Sequence, residues 1–218
     1  MIFSPIPLFP LGLVLMPGAS VPLHLFEPRY RAMLRDVKDT TRVFGLIMPP
    51  RGAPEEMLPA GRIGCIAEIS ALDLLPDGRA NIIVTGTQRF RFETFLDIGT
   101  PYRVGHVSEH EDHADDPVRT AVVAAQVQQL ATRAIRASMV LQDLTADVPE
   151  LPDDPSALSF QVAHMLQVDP ELQYDMLAGR NPLTRLVQLE ATIRAGLPDL
   201  EDAADRHARE RGDGPASN

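Results

Sequence analysis

The side chains best suited to chemistry in this 218-residue chain are one lysine, one cysteine, six histidines and a few serines. Their placement closes most routes to catalysis. Lys38 lies between Val37 and Asp39, with Asp36 two residues away. A phosphate-cradling P-loop needs a glycine-rich loop ending in Lys-Ser/Thr, and Lys38 has neither the loop nor the hydroxyl. A serine–lysine dyad or a Schiff-base lysine needs a desolvated amine; flanked by aspartates, Lys38 reads as a solvated surface charge. No Gly-x-Ser-x-Gly elbow occurs. Ser20, Ser70, Ser108 and Ser138 fall in strand or helix patterns without glycine partners. Cys65 lies among Ile63, Ala67 and Ile69, the setting of a small buried residue rather than a nucleophile. The expectation is therefore no catalytic residue and no cofactor.

The strongest metal pattern is His106-x-x-x-His110-x-x-His113, interleaved with Glu109, Glu111 and Asp112. On a strand, His106 and His110 would share a face but lie about 13 Å apart at roughly 3.3 Å per residue. One zinc ion cannot bridge that span without a local bend. The trio is a weak metal candidate, and a polar strand end running into a linker is the favoured reading. His24 alternates with Leu23 and Leu25, as an outward or hydrogen-bonded strand histidine does. Arg89 and Arg91 share a strand face with Thr85, Thr87 and Glu93. That face reads first as solvated, with Glu93 as partner. The sharper alternative is a polar rim binding carboxylates or backbone carbonyls of an extended peptide.

The elements that must position these residues change character midway. Residues 7–31 are rich in proline and apolar side chains. Pro5, Pro7, Pro10, Pro17 and Pro22 would break any helix, so a membrane span is excluded, and no basic residue precedes Arg29, so a secretory signal is too. Short strands are expected over 6–9 and 20–26, turned at Pro17-Gly18. Glu27-Pro28 then opens a helix with proline in its first turn. Strands follow over 42–49 and 62–75, with a loop over 51–61 between them. Pro76-Asp77-Gly78 makes a hairpin, read as a type I′ turn. On the return strand Ile82, Val84, Phe90 and Phe92 face one way, and Gly86 marks a bulge. A last strand covers 102–109.

Residues 111–116 (EDHADD) are taken as a boundary. Beyond them Asp116-Pro117, Asp154-Pro155, Asp169-Pro170 and Asn181-Pro182 each offer a capping oxygen followed by a helix-starting proline. They predict helices over about 118–141, after Pro155, over 171–177 and over 183–195, the last stopping at Gly196-Leu197-Pro198. In the longest, Val123, Val127, Leu130, Ala134, Ala137 and Leu141 form one apolar stripe, to be covered within the chain or across a homodimer. The domains are accordingly read as 1–113, a β-rich part; 114–198, a helical bundle; and 199–218, a frayed or disordered tail.

Charge agrees with two parts. The chain carries −10 overall, with about −2 in residues 1–113 and −8 in 114–218. A negative chain is a poor nucleic-acid binder, so no nucleic-acid partner is expected. One cysteine excludes an internal disulfide and makes a cytoplasmic location the plain reading.

Several segments together resemble the N-terminal substrate-binding domain of the Lon proteases. They are Pro7-Leu8-Phe9-Pro10-Leu11, Pro17, Pro22-Leu23, Phe26-Glu27-Pro28-Arg29-Tyr30, Gly64-Cys65-Ile66-Ala67-Glu68-Ile69, Leu75-Pro76-Asp77-Gly78 and Val84-Thr85-Gly86-Thr87-Gln88-Arg89-Phe90-Arg91. They occur in family order over about residues 5–195. The resemblance implies an α+β fold: a PUA-like, partly open β-barrel followed by a C-terminal helical bundle. It also implies capture of unfolded or extended protein segments. The candidate peptide-binding residues are then Pro10, Leu11, Phe26 and Tyr30 lining an apolar face, each with ordinary core as the alternative, and Arg89 and Arg91 as the polar rim. The sequence contains no ATPase or protease part, so a non-enzymatic binding module is expected. The alternatives are a PUA-like RNA-binding module and an accessory subunit docking on a separate protease or ATPase.

Overall fold

Alternation along the return strand sets the architecture. Ile82, Val84, Phe90 and Phe92 are buried on one face of β5 (Ala80–Leu96), a 17-residue strand long enough to serve two neighbourhoods. Its first half pairs antiparallel with β2 (Ser20–Leu25) and its second half with β6 (Arg103–Glu109). Along its other edge it pairs with β4 (Ile63–Leu74). β4 continues to β3 (Val43–Ile47), β3 runs parallel to β1 (Ile6–Pro10), and β1 returns to β6. The strand order β2-β5-β4-β3-β1-β6, with the additional β5–β6 pairing, is a partly closed barrel. Ile6, Leu8, Ile47, Ile66, Phe90 and Phe92 fill it. Each such side chain contributes roughly 1.5–3 kcal/mol by leaving water. The computed structural model describes residues 5–54, 57–113, 116–166 and 169–212.

The register slips between Cys65↔Arg89 and Ala67↔Gly86, placing an extra residue on β5 at the expected bulge. Glycine is required there by a close backbone approach. Gly18 N–H donates to Gly86 O, Gly86 N–H donates to Ala19 O (both 2.8 Å), and a Cβ at Gly86 would stand 2.2 Å from Met16 O. Gly86→Ala should therefore cost about 1–3 kcal/mol as the 16–19 segment is pushed away. A urea unfolding midpoint equal to that of the parent chain would refute this. The hairpin turn differs from the type I′ expectation. Of its three loop residues only Gly78 has positive φ (80°), and the loop closes through Leu75 N–H to Arg79 O. Type I′ needs positive φ at both central residues; here Pro76 leads a type I turn and Gly78 takes the left-handed position after it.

Helix α1 (Pro28–Val37) starts at Glu27-Pro28 and buries Tyr30, Met33, Leu34 and Val37. The other helices are α2 (Pro117–Leu141), α3 (Pro155–Met165), α4 (Pro170–Ala178) and α5 (Pro182–Glu210). All four Asp/Asn-Pro caps form: Asp116, Asp154, Asp169 and Asn181 each accept from a first-turn backbone N–H. The α2 stripe Val123, Val127, Leu130, Ala134 and Ala137 is buried within the chain, while Leu141 is half-buried.

The chain forms two units, residues 1–111 with 167–180, and residues 112–166 with 181–218. The short helix α4, expected in the bundle, therefore belongs with the sheet. The last helix also departs from expectation. It runs through the expected stop at Gly196-Leu197-Pro198 and on to Glu210; 213–218 lie outside the described residues. A proline inside a helix costs about 3 kcal/mol. Here the continuation is held by buried Leu197 and Ala204, by a two-pronged Arg133–Glu201 ion pair, and by His207 and Arg211 on Asp143.

Candidate functional site

The candidate binding residues do not share one surface environment. Pro10 is buried at the end of β1 and Leu11 is half-buried. Tyr30 is only 3% exposed; its ring lies 4.0 Å from that of Phe9, and the Arg29 guanidinium covers it at 4.5 Å. Phe26 alone of the four apolar candidates stands out from the surface, at 59% exposure, beside the His24 ring. His24 itself is bonded to Asn81 across the β2–β5 pair at 2.7 Å, as an outward strand histidine.

Arg89 and Arg91, expected on one solvated face, part company. Arg91 is exposed, with Glu93 at 4.0 Å. Arg89 is 6% exposed, because α4 lies over its part of the face. Its Nη1 donates to Leu177 O at 2.7 Å and Gly179 O at 2.6 Å, the carbonyls at the C-terminal end of α4. A cation there meets the negative end of the helix dipole and satisfies carbonyls without an intrahelical partner. His110 acts at the same place, its Nε2 2.8 Å from Ala178 O. Tyr174 completes the seat: its hydroxyl accepts from Ile63 N–H, and the Arg62 guanidinium lies 3.4 Å from its ring centroid. Arg89 and His110 thus hold α4 in place. Among the described residues no three His, Cys, Asp or Glu side chains group so as to hold a metal ion, and the histidine trio is not assembled into one.

Cys65 is fully buried, and burial pushes its thiol up from 9.0 to about 12 against opposing effects of Thr87 and Arg89. Tyr102 is also pushed up, from 10.0 to about 12, first by burial and then by its O–H donation to the Asp36 carboxylate at 2.7 Å. Both groups keep their protons longer in the folded state. The stability they lend is complete below pH 9–10 and is lost as pH rises through about 12. Urea unfolding should therefore show an alkaline decline that Cys65→Ala with Tyr102→Phe flattens. Iodoacetamide at pH 8 should leave Cys65 untouched in the folded chain and modify it in urea; labelling at equal rates in both would contradict its burial.

The open apolar surface of this unit lies elsewhere, at the end carrying the β4–β5 hairpin. A cavity of about 480 Å³ is lined by Leu23, His24, Leu72, Asn81, Ile82 and Ile83, with Pro22 and Ala71 at its margin. β2 pairs only with β5, so its other edge is an unpaired strand edge among the described elements. Ile83 is exposed, and Leu74 is 57% exposed. A second cavity, of about 500 Å³, opens beside α1. Periodicity did not single out these residues. The available signal was Leu74-Leu75 before Pro76, two adjacent apolar residues where strict alternation allows only one to face inward.

The family model of the ATP-dependent protease La (LON) substrate-binding domain matches residues 5–193. A Lon protease of Methylocella silvestris is 30% identical over 177 residues, 76% of this chain and 21% of the relative. One of Cytophaga hutchinsonii is 25% identical over 156 residues, 69% of this chain and 18% of the relative. The chain thus spans about a fifth of the curated relatives it matches. The crystal structure of a Lon N-terminal domain protein from Xanthomonas campestris superposes with TM-score 0.62 at 28% identity, covering 87% of this chain and 98% of that one. The N-terminal domain of a Mycobacterium avium complex Lon protease superposes at 0.67 with 18% identity, covering 88% and 98%, a likeness of fold.

Proposed function

The chain belongs to the family of the ATP-dependent protease La (LON) substrate-binding domain, and from that premise we propose that it is a protein-binding module engaging exposed apolar or extended segments of other proteins without catalysing a reaction. The observation that carries this is the family match over residues 5–193, which takes in most of both units. The surface is suited to it. The 480 Å³ cavity beside β2 has an aliphatic lining, and the free edge of that strand offers backbone groups to an extended chain. Phe26, Leu74 and Ile83 are exposed on the same unit. The groups that catalysis would need are otherwise engaged: the Cys65 thiol is held protonated by burial, and Lys38 is paired with Asp39.

The chain contains no tryptophan, so the fluorescence of a tryptophan-bearing ligand reports binding without background. A reduced, unfolded model protein with tryptophan should bind and shift its emission to the blue; its folded, disulfide-intact form should not. Absence of binding to the unfolded form, or equal binding to both, would overturn the reading. Co-purification of a separate protease or ATPase at stoichiometric yield, with no unfolded-protein binding, would replace it by the accessory-subunit reading.

A further inference from the structure

This inference rests on the protein-binding reading and specifies what the second cavity, beside α1, recognises. On α1 the residues Arg31 and Arg35, followed by Lys38 at the C-cap, recur at four and three positions and so share one helix face. The opposite face, with Tyr30, Met33 and Val37, is buried. The three cations line a cavity of about 500 Å³ together with Leu34, Leu74 and Leu75. Two features distinguish it from an ordinary solvated helix face.

The first is preorganisation. Arg31 Nη2 donates to Asp77 O at 3.0 Å, and its guanidinium packs so closely on the hairpin turn that a Cβ at Gly78 would stand 2.2 Å from Nη2. The turn therefore fixes the cation at the cavity wall before any ligand arrives, and Gly78, at φ 80°, makes room for it. The second is charge that the nearby carboxylates balance only in part. Asp77 pairs with Arg79 and acts on Arg31 only at longer range, Asp36 accepts the Tyr102 hydroxyl, and Asp39 pairs with Lys38. Neither Arg31 nor Arg35 forms an ion pair with a described residue. Within a chain of net charge −10, this is a cationic wall over a leucine floor, with Leu74 more than half exposed.

We infer that this groove binds a peptide segment in which a large apolar side chain is flanked by Asp or Glu. The apolar side chain occupies the floor at Leu34, Leu74 and Leu75, and the carboxylates meet Arg31, Arg35 and Lys38. Arginine suits the role because its planar donors match a carboxylate pairwise. A concave cavity of about 500 Å³ suits a peptide segment better than a planar anionic membrane.

The test uses the whole chain and three tryptophan-bearing peptides of equal length: acidic-flanked, neutral, and lysine-flanked. The acidic peptide should bind at least tenfold more tightly than the lysine-flanked one, and salt should weaken it more than the neutral peptide. Arg35→Glu alters an exposed side chain and should fold normally. It should weaken the acidic peptide about tenfold and strengthen the lysine-flanked one. Because Lys38 is the only lysine, carbodiimide coupling of a peptide carboxylate to a side-chain amine can occur only there. Coupling at Lys38, distinguished from coupling at the α-amine by peptide mapping, should be greater than with the neutral peptide's C-terminal carboxylate and should fall in Arg35→Glu. If the neutral peptide and unfolded protein bind but the acidic peptide shows no preference or is insensitive to Arg35→Glu, the inference fails while the protein-binding reading stands. If no peptide and no unfolded protein binds, both fail. Binding to anionic phosphatidylserine vesicles without peptide preference, or a dimer that Arg35→Glu dissolves, would also overturn it by supplying a different occupant.

Discussion

Replacing Arg185 by Met is expected to destabilise the second unit by about 3–5 kcal/mol, the cost of stripping one partner from a buried ion pair. Arg185 is 2% exposed. Its guanidinium makes two bonds to the Asp112 carboxylate, Nη1 to Oδ1 at 2.8 Å and Nη2 to Oδ2 at 2.5 Å. Nε donates to Ser159 Oγ at 2.9 Å, Ser156 Oγ also donates to Asp112, and the Phe160 ring lies 4.1 Å away. Few of these donors and acceptors can turn to water when their partner is removed, so the loss is not the modest value of a surface pair. Asp112 is the first residue of this unit, so the network ties down the segment before α2. The double variant Arg185→Met with Asp112→Leu should recover much of the loss, because no charge is then left buried alone. Urea unfolding followed by far-ultraviolet circular dichroism checks both. A single variant within 1 kcal/mol of the parent would refute the assignment.

Arg89→Ala should have the next largest effect, about 3 kcal/mol. Two charge-assisted hydrogen bonds are lost and two carbonyls at the end of α4 are orphaned. The effect should be local as well as global. Amide exchange across α4 should accelerate, and proteases should cut near it, because its short length leaves it dependent on Arg89, His110 and Tyr174 for its seat. Arg91→Ala is the control. Two residues along the same strand, exposed and 4.0 Å from Glu93, it should shift stability by no more than about 0.5 kcal/mol. Equal effects of the two substitutions would contradict the covering of Arg89 by α4.

That pair also marks where sequence reading stopped. Alternation on β5 put Arg89 and Arg91 on one face, opposite Val84, Phe90 and Phe92. Alternation reports which side of a sheet a residue occupies and says nothing of what covers that side. The covering helix lies some 90 residues downstream. For the same reason the local pattern left Tyr30 open between a binding face and the core, and packing against Phe9 puts it in the core, while Leu74, with no part in the pattern, is exposed.

Local physics made much of the chain legible. Proline's missing N–H and fixed φ argued against helix from Pro5 to Phe26, and the four Asp/Asn-Pro pairs start α2, α3, α4 and α5. Pro76-Asp77-Gly78 turns the hairpin, and Gly86 sits at the bulge. The exclusion of a P-loop and of a reactive lysine likewise followed from counting and neighbours alone. Tertiary structure decided the rest. It took α4 out of the bundle and onto the sheet, carried α5 through Pro198, spent Arg89 and His110 on the end of a helix, and set Arg31, Arg35 and Lys38 around exposed leucine. The sequence by itself determined what each segment could be, because capping, turning and alternation are short-range. Which residues are free to meet a partner depends on long-range burial, and only the folded chain settles that.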